Sequence, residues 1–185
     1  MQTSRPTSPR AADVGDVLRR SAAGTSELLP RPPVRFTDEA GRAVELRVPE
    51  AVSESLVGMY VGYDPGDRTQ GLPPRTEAQV RDWLDHLFAS GYDVVADHGG
   101  TVVGHATLVP TEGGAELAIF VGSDHQGAGI GSRLLRTLLG HGRANGVERV
   151  WLTVARENYP AISLYRATGF RTVERGMELE MARRL

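Results

Sequence analysis

Gln126-Gly127-Ala128-Gly129-Ile130-Gly131-Ser132 is the stretch that most narrows what this chain can become. Glycine recurs there at every second position, after an apolar run ending at Val121 and before Ile130, Leu134, Leu135, Leu138 and Leu139. The apolar run has the length of a strand, and apolar residues spaced three and four apart form one face of a helix. Glycine between them lets the backbone turn tightly with its N–H groups pointing inward. The start of a helix adds unpaired N–H donors and a partial positive charge. Strand, loop and helix start together make a seat for a diphosphate.

The bland alternative is a loop that uses glycine only to turn, and the dinucleotide fingerprint G-x-G-x-x-G fails, because counting from Gly127 puts Ser132 in the last position. Composition removes other chemistries. All 21 basic residues are Arg, so neither a Walker A phosphate loop nor a pyridoxal Schiff base can form, since both need Lys. With 0 Cys there are no thiol nucleophiles, disulfides or thiolate metal sites. A net charge of -2 gives no electrostatic reason for a nucleic-acid or anionic-membrane partner. No apolar run is long enough to span a membrane, and Arg5 and Arg10 precede no apolar signal core. The expectation is a cytoplasmic protein.

Residues 1–33, rich in Pro, Ser, Arg and Ala, read as a flexible tail, and 34–185 as one domain. Val34–Thr37 and Ala43–Val48 read as a hairpin, and Glu50–Val61 as a helix after Pro49. Thr76-Glu77-Ala78-Gln79 is a capping box in front of Val80, Trp83, Leu84, Leu87 and Phe88 at helical spacing. Tyr92–Ala96, Thr101–Val109 and Ala115–Val121 form a meander. After the glycine loop and its helix, Arg149–Val154 reads as a strand buried on both faces and parallel to a neighbour. Ala161–Ala167 is a helix ended by Gly169, and Phe170–Glu174 with Met177–Met181 a last hairpin. The fold class is α/β, a mixed sheet of about six to seven strands with about four helices on its two faces.

Gln126-x-x-Gly129-x-Gly131 resembles the Q/R-x-x-G-x-G/A signature of the GNAT superfamily of acyl-CoA-dependent N-acyltransferases. Asn158, then Ala161-Ile162-Ser163-Leu164-Tyr165 and Gly169-Phe170, is similar to the same family's second signature. One helix and one strand fit between the two, as that family requires, and the likeness runs from about Val44 to Met181. It implies acetyl-CoA as co-substrate, no metal, and a small-molecule or peptide amine as acceptor. Ile119, Phe120 and Val121 would pair the pantetheine arm and supply an oxyanion donor. Gln126, Gly127, Ala128, Gly129, Ile130, Gly131 and Ser132 would hold the diphosphate, and Asn158 would hold the pantetheine amides or cap its helix. Many members of the family form dimers through their C-terminal strands, and Phe170–Met181 could carry such a homodimer contact.

The acceptor amine must lose a proton before it attacks, since a free alkylamine has a pKa of about 10. Glu116 matches the position of the catalytic carboxylate in the protein-lysine branch of the family and is the candidate general base, unless it is only a solvated strand residue. Tyr165 falls on the family's tyrosine and is the candidate acid for the departing thiolate, unless it only packs. The loop from Met59 to Arg68, aromatic and acidic at Asp64 and Asp67, is either an ordinary surface loop or the rim of the acceptor site, where it would favour a cationic amine. Among the histidines, His105 alternates with apolar neighbours on a strand and reads as a satisfied sheet residue, unless it faces the substrate cleft, and His125, His86, His98 and His141 read as surface positions. A catalytically silent acyl-CoA sensor is the competing reading of the same motifs.

Overall fold

The computed structural model describes residues 29–63 and 73–185. The expected tail therefore lies outside the described residues up to position 28, as do Asp64 and Asp67 of the proposed acceptor rim. The described elements are β1 (Val34–Thr37), β2 (Ala43–Arg47), α1 (Glu54–Val61), α2 (Glu77–Ser90), β3 (Tyr92–His98), β4 (Thr101–Thr111) and β5 (Gly114–Val121), followed by α3 (Ile130–Ala144), β6 (Arg149–Ala155), α4 (Tyr159–Ala167), β7 (Arg171–Arg175) and β8 (Glu178–Arg184). All eight strands join one sheet in the order β1-β2-β3-β4-β5-β6-β8-β7, somewhat wider than six to seven. Every neighbouring pair is antiparallel except β5 with β6.

Two apolar clusters sit on the two faces. On one, α3 buries Leu134, Leu135, Leu138 and Leu139 against β3, β4 and β5, joined by Ile162 and Tyr165 of α4. Each such leucine contributes roughly 1.5–3 kcal/mol by leaving water, and Leu138→Ala would cost about 2–5 kcal/mol. On the other face, Leu56, Val57 and Tyr60 of α1 meet Val80, Leu84 and Leu87 of α2. The capping box at Thr76 and Gln79 forms as the sequence predicts. The helix expected from Glu50 starts only at Glu54, because Ser53 takes an extended backbone and its hydroxyl accepts the Leu56 N–H.

The strand Arg149–Val154, expected to be buried on both faces, alternates between buried and half-buried positions. Its outer edge pairs antiparallel with β8 along the whole strand, and its parallel partner β5 stays beside it for only two residues. Leu29 is buried against α3, where Gly140 leaves no room for a side chain because the Leu29 and Pro30 carbonyls pack onto it. No helix among the described residues is long and apolar enough to cross a membrane.

Candidate active site

β4 and β5 stay paired from Thr111↔Gly114 to Gly104↔Val121. β5 and β6, by contrast, are in register only at Ala115↔Val150 and Glu116↔Trp151. Beyond Glu116 the two strands part, and the sheet opens into a wedge. The Gly122 N–H donates to the Val103 carbonyl at 3.0 Å, so residues in phase with Gly122 point their main-chain groups at β4. Strand alternation then turns the N–H and C=O of Ile119 and the N–H of Val121 the other way, into the wedge.

The wedge holds a cavity of about 400 Å³. One wall is Ile119, Phe120 and Val121 with Gln126, Gly127 and Gly131; the other is Thr153, Val154 and Ala155 at the end of β6. Asn158, Leu164 and Tyr165 of the α4 segment close one side, and Tyr63 another. Gly127 (φ 70°) and Gly129 (φ 80°) adopt the left-handed backbone that lets the loop double back into α3. Gly129 caps α3 with no side-chain acceptor, and no acidic residue stands in the first turn. The N–H donors of that turn are left for an anion, and the helix dipole favours one there.

The structure brings Ile119, Phe120, Val121, Gln126, Gly127, Gly131, Asn158 and Tyr165 to one cavity. Ala128 and Ile130 bury their side chains, so these positions can offer only main chain, while Gly129 and Ser132 lie outside the lining. The Gln126 amide donates to the Val121 carbonyl at 2.9 Å, which ties the loop to the strand end. Asn158 caps α4, its Oδ1 accepting the Ala161 N–H at 3.2 Å. Tyr165 is 9% exposed, and burial followed by the nearby Tyr63 phenol pushes its own phenol up to about 12.

Glu116 lies where β5 and β6 begin to part, exposed and outside the cavity lining. Partial burial raises its carboxyl above the ordinary value of 4.5. It shares a sheet face with Phe120, whose ring stacks edge-on against Tyr60, Tyr63 and Trp83. Beneath that aromatic group lies a polar chain. The Tyr60 hydroxyl is 2.6 Å from His105 Nδ1, and His105 Nε2 is 2.9 Å from Asp93 Oδ1. Asp93 accepting from Nε2–H leaves Nδ1 to accept from Tyr60, a tautomer assigned from the network.

His105 is thus the satisfied sheet histidine expected. His125, His98 and His141 are half-buried rather than surface groups: the His125 ring lies tilted against that of His98, His98 Nδ1 lies 2.8 Å from the Ala43 carbonyl, and His141 packs edge-on against Tyr92. The β6 end and the Tyr60–His105–Asp93 chain escaped the sequence reading. The strand divergence that exposes the β6 end leaves no mark in residue order, and the polar chain joins three elements distant in sequence.

The acetyltransferase (GNAT) family model matches residues 53–170. A mycothiol acetyltransferase of Saccharomonospora viridis is 31% identical over 174 residues, covering 86% of this chain and 54% of that protein. An L-methionine sulfoximine/L-methionine sulfone acetyltransferase of Pseudomonas aeruginosa is 31% identical over 96 residues, 48% of this chain and 56% of that one. The chain spans about half the length of the curated relatives it matches. The GNAT domain of S. lividans PAT superposes with a TM-score of 0.70 at 20% identity, covering 83% of this chain and 97% of that one. Mycobacterium smegmatis RimJ in complex with CoA-disulfide gives 0.61 at 20% identity, covering 82% and 86%. At such identity the solved structures speak for the fold.

Proposed function

This chain belongs to the GNAT family of acetyltransferases, and from that premise we propose that it moves an acetyl group from acetyl-CoA to a primary amine by direct attack in a ternary complex. The observation that carries the reading is the wedge between β5 and β6, with the main-chain groups of Ile119 and the N–H of Val121 turned into it. An extended pantetheine arm carries amides and can pair with such an edge as an added strand. The uncapped start of α3 at Gly129 lies at the loop end of the same cavity and fits a diphosphate.

In the proposed reaction the amine nitrogen attacks the thioester carbonyl, forming the new C–N bond. Glu116 takes the amine proton through water, and a main-chain N–H near Val121 stabilises the oxyanion. The tetrahedral intermediate collapses with loss of the C–S bond, and Tyr165 protonates the leaving thiolate. The Tyr165 phenol carries its proton at neutral pH, as this step requires; burial makes it a weaker acid, so its role rests on its place in the cavity lining. The relatives named for mycothiol and for L-methionine sulfoximine support a small-molecule amine as acceptor, and a peptide amine is the other acceptor class proposed. A cytoplasmic setting, where acetyl-CoA is available, goes with this reading.

The test is acetyl-CoA-dependent release of CoA thiol against a panel of amino acids, polyamines, aminosugars and peptides, with Tyr165→Phe alongside. Turnover of an amine by the wild type, strongly reduced in Tyr165→Phe, is expected. Tight CoA binding without turnover of any amine would favour a silent acyl-CoA sensor instead.

A further inference from the structure

The turn between β1 and β2 lies outside the residues matched by the family model, yet it is bolted onto the glycine loop. The Glu39 N–H donates to the Ala128 carbonyl at 3.1 Å, and Arg42 Nη1 to the Asp124 carbonyl at 2.9 Å. Phe36 of β1 lies under the Arg133 guanidinium, 4.6 Å from its ring centre, and Arg133 in turn donates to the Gly129 carbonyl at 3.3 Å. The turn is itself stiff. Asp38, 5% exposed, accepts from the Ala40 N–H at 3.0 Å, the Arg42 N–H at 2.8 Å and Arg42 Nε at 2.7 Å. Burial works against the ionised Asp38 carboxyl, but its bonds to Arg42 outweigh that and hold it below the usual carboxylate value.

A loop whose N–H groups converge on an anion must point carbonyls outward, and an outward carbonyl needs a donor of its own. The turn supplies donors at two such points, Asp124 and Ala128, on either side of Gln126 and Gly127. We propose that the β1–β2 turn is a brace for the diphosphate loop, with Arg42 as a positioning residue held by Asp38, so that affinity for CoA depends on a hairpin outside the catalytic elements. The proposal rests on the acetyl-CoA reading of the cavity. Arg42 suits this place because its fork reaches the Asp38 carboxylate through Nε and the Asp124 carbonyl through Nη1 at once, which Lys cannot do.

The experiment is isothermal titration of the full chain with CoA and with S-acetyl-pantetheine, the arm without its diphosphate. It compares wild type, Arg42→Ala, Arg42→Lys and, as a control on the same hairpin, Arg35→Ala, whose exposed guanidinium pairs with half-buried Glu45. Arg42→Ala should weaken CoA by about tenfold, the loss expected for a charge-assisted hydrogen bond. Arg42→Lys should fail to restore it, and Arg35→Ala should bind as wild type. S-acetyl-pantetheine should bind all four proteins alike. Amide hydrogen exchange of residues 122–131 in the ligand-free protein should speed up in Arg42→Ala. Wild-type CoA affinity in Arg42→Ala, full rescue by Lys, an equal loss for S-acetyl-pantetheine, or unchanged exchange in the loop would each overturn the brace. Failure of the wild type to bind CoA would instead sink the functional reading, and with it any role of the brace in binding.

Discussion

The Gln126 side-chain amide donates to the main-chain carbonyl of Val121 across 2.9 Å, and the residues between them form the bend that carries β5 into the glycine loop. The bond spends the Val121 carbonyl inside the protein and leaves the Val121 N–H facing the wedge. Gln126→Ala should therefore loosen the bend and raise the KM for acetyl-CoA by roughly fivefold, the worth of one neutral hydrogen bond. kcat should change little, because no reacting group is touched. A fall in kcat at constant KM would contradict this.

Tyr165→Phe keeps the ring packing on Phe170 and removes only the hydroxyl. Loss of a general acid costs roughly a hundredfold or more in rate. Burial raises the phenol from its ordinary 10.0 to about 12, so it remains a proton donor through the neutral and mildly alkaline range. Steady-state kinetics should show kcat falling with the KM for acetyl-CoA nearly constant. An unchanged kcat would reduce Tyr165 to packing.

Glu116 gives a prediction in pH. A general base works only when ionised, and partial burial raises this carboxyl above 4.5. The rate should therefore rise as pH climbs through that raised value, placing the acid limb of the kcat/KM profile above pH 4.5. In Glu116→Gln the limb should disappear and the plateau fall by roughly a hundredfold. A profile of the same shape in the variant would assign the base elsewhere.

The Tyr60–His105–Asp93 chain lies among fully or nearly fully buried groups. Tyr60→Phe leaves His105 Nδ1 without its donor and should cost about 1–3 kcal/mol of unfolding free energy. Urea denaturation measures this as a lower midpoint at unchanged slope. A midpoint equal to the wild type would mean that the hydroxyl contributes nothing net.

Much of this architecture can be read from residue order because local signals agree with tertiary ones. Thr76 and Gln79 announce the start of α2, Gly99 and Gly100 the β3–β4 turn, and the leucines of α3 its buried face. The second signature places Asn158 and Tyr165 on α4 in register with Gln126 on the loop, and all three reach one cavity. What stays hidden depends on neighbours across the sheet. The early parting of β5 from β6 comes from pairing geometry, so the contribution of Thr153 to Ala155 cannot be seen in sequence. The docking of Arg42 on Asp124 joins positions far apart in the chain, and nothing in Asp38 to Arg42 beyond a turn signal foretells it.

The most direct test of the central claim, that the wedge and the start of α3 hold acetyl-CoA, is a thermal-shift titration of wild type and Gly131→Glu. Gly131 is the position to change because it lies within α3, lines the cavity, and offers a Cβ 3.8 Å from Leu164 and Val121, an ordinary contact. Gly129 would be strained by any side chain at its φ of 80°. A ligand near a hundred times its Kd adds about 2.7 kcal/mol to stability. Wild-type Tm should rise clearly with acetyl-CoA, and that of Gly131→Glu little or not at all, because its carboxylate would repel the diphosphate. No rise in the wild type, or an equal rise in both, would contradict it.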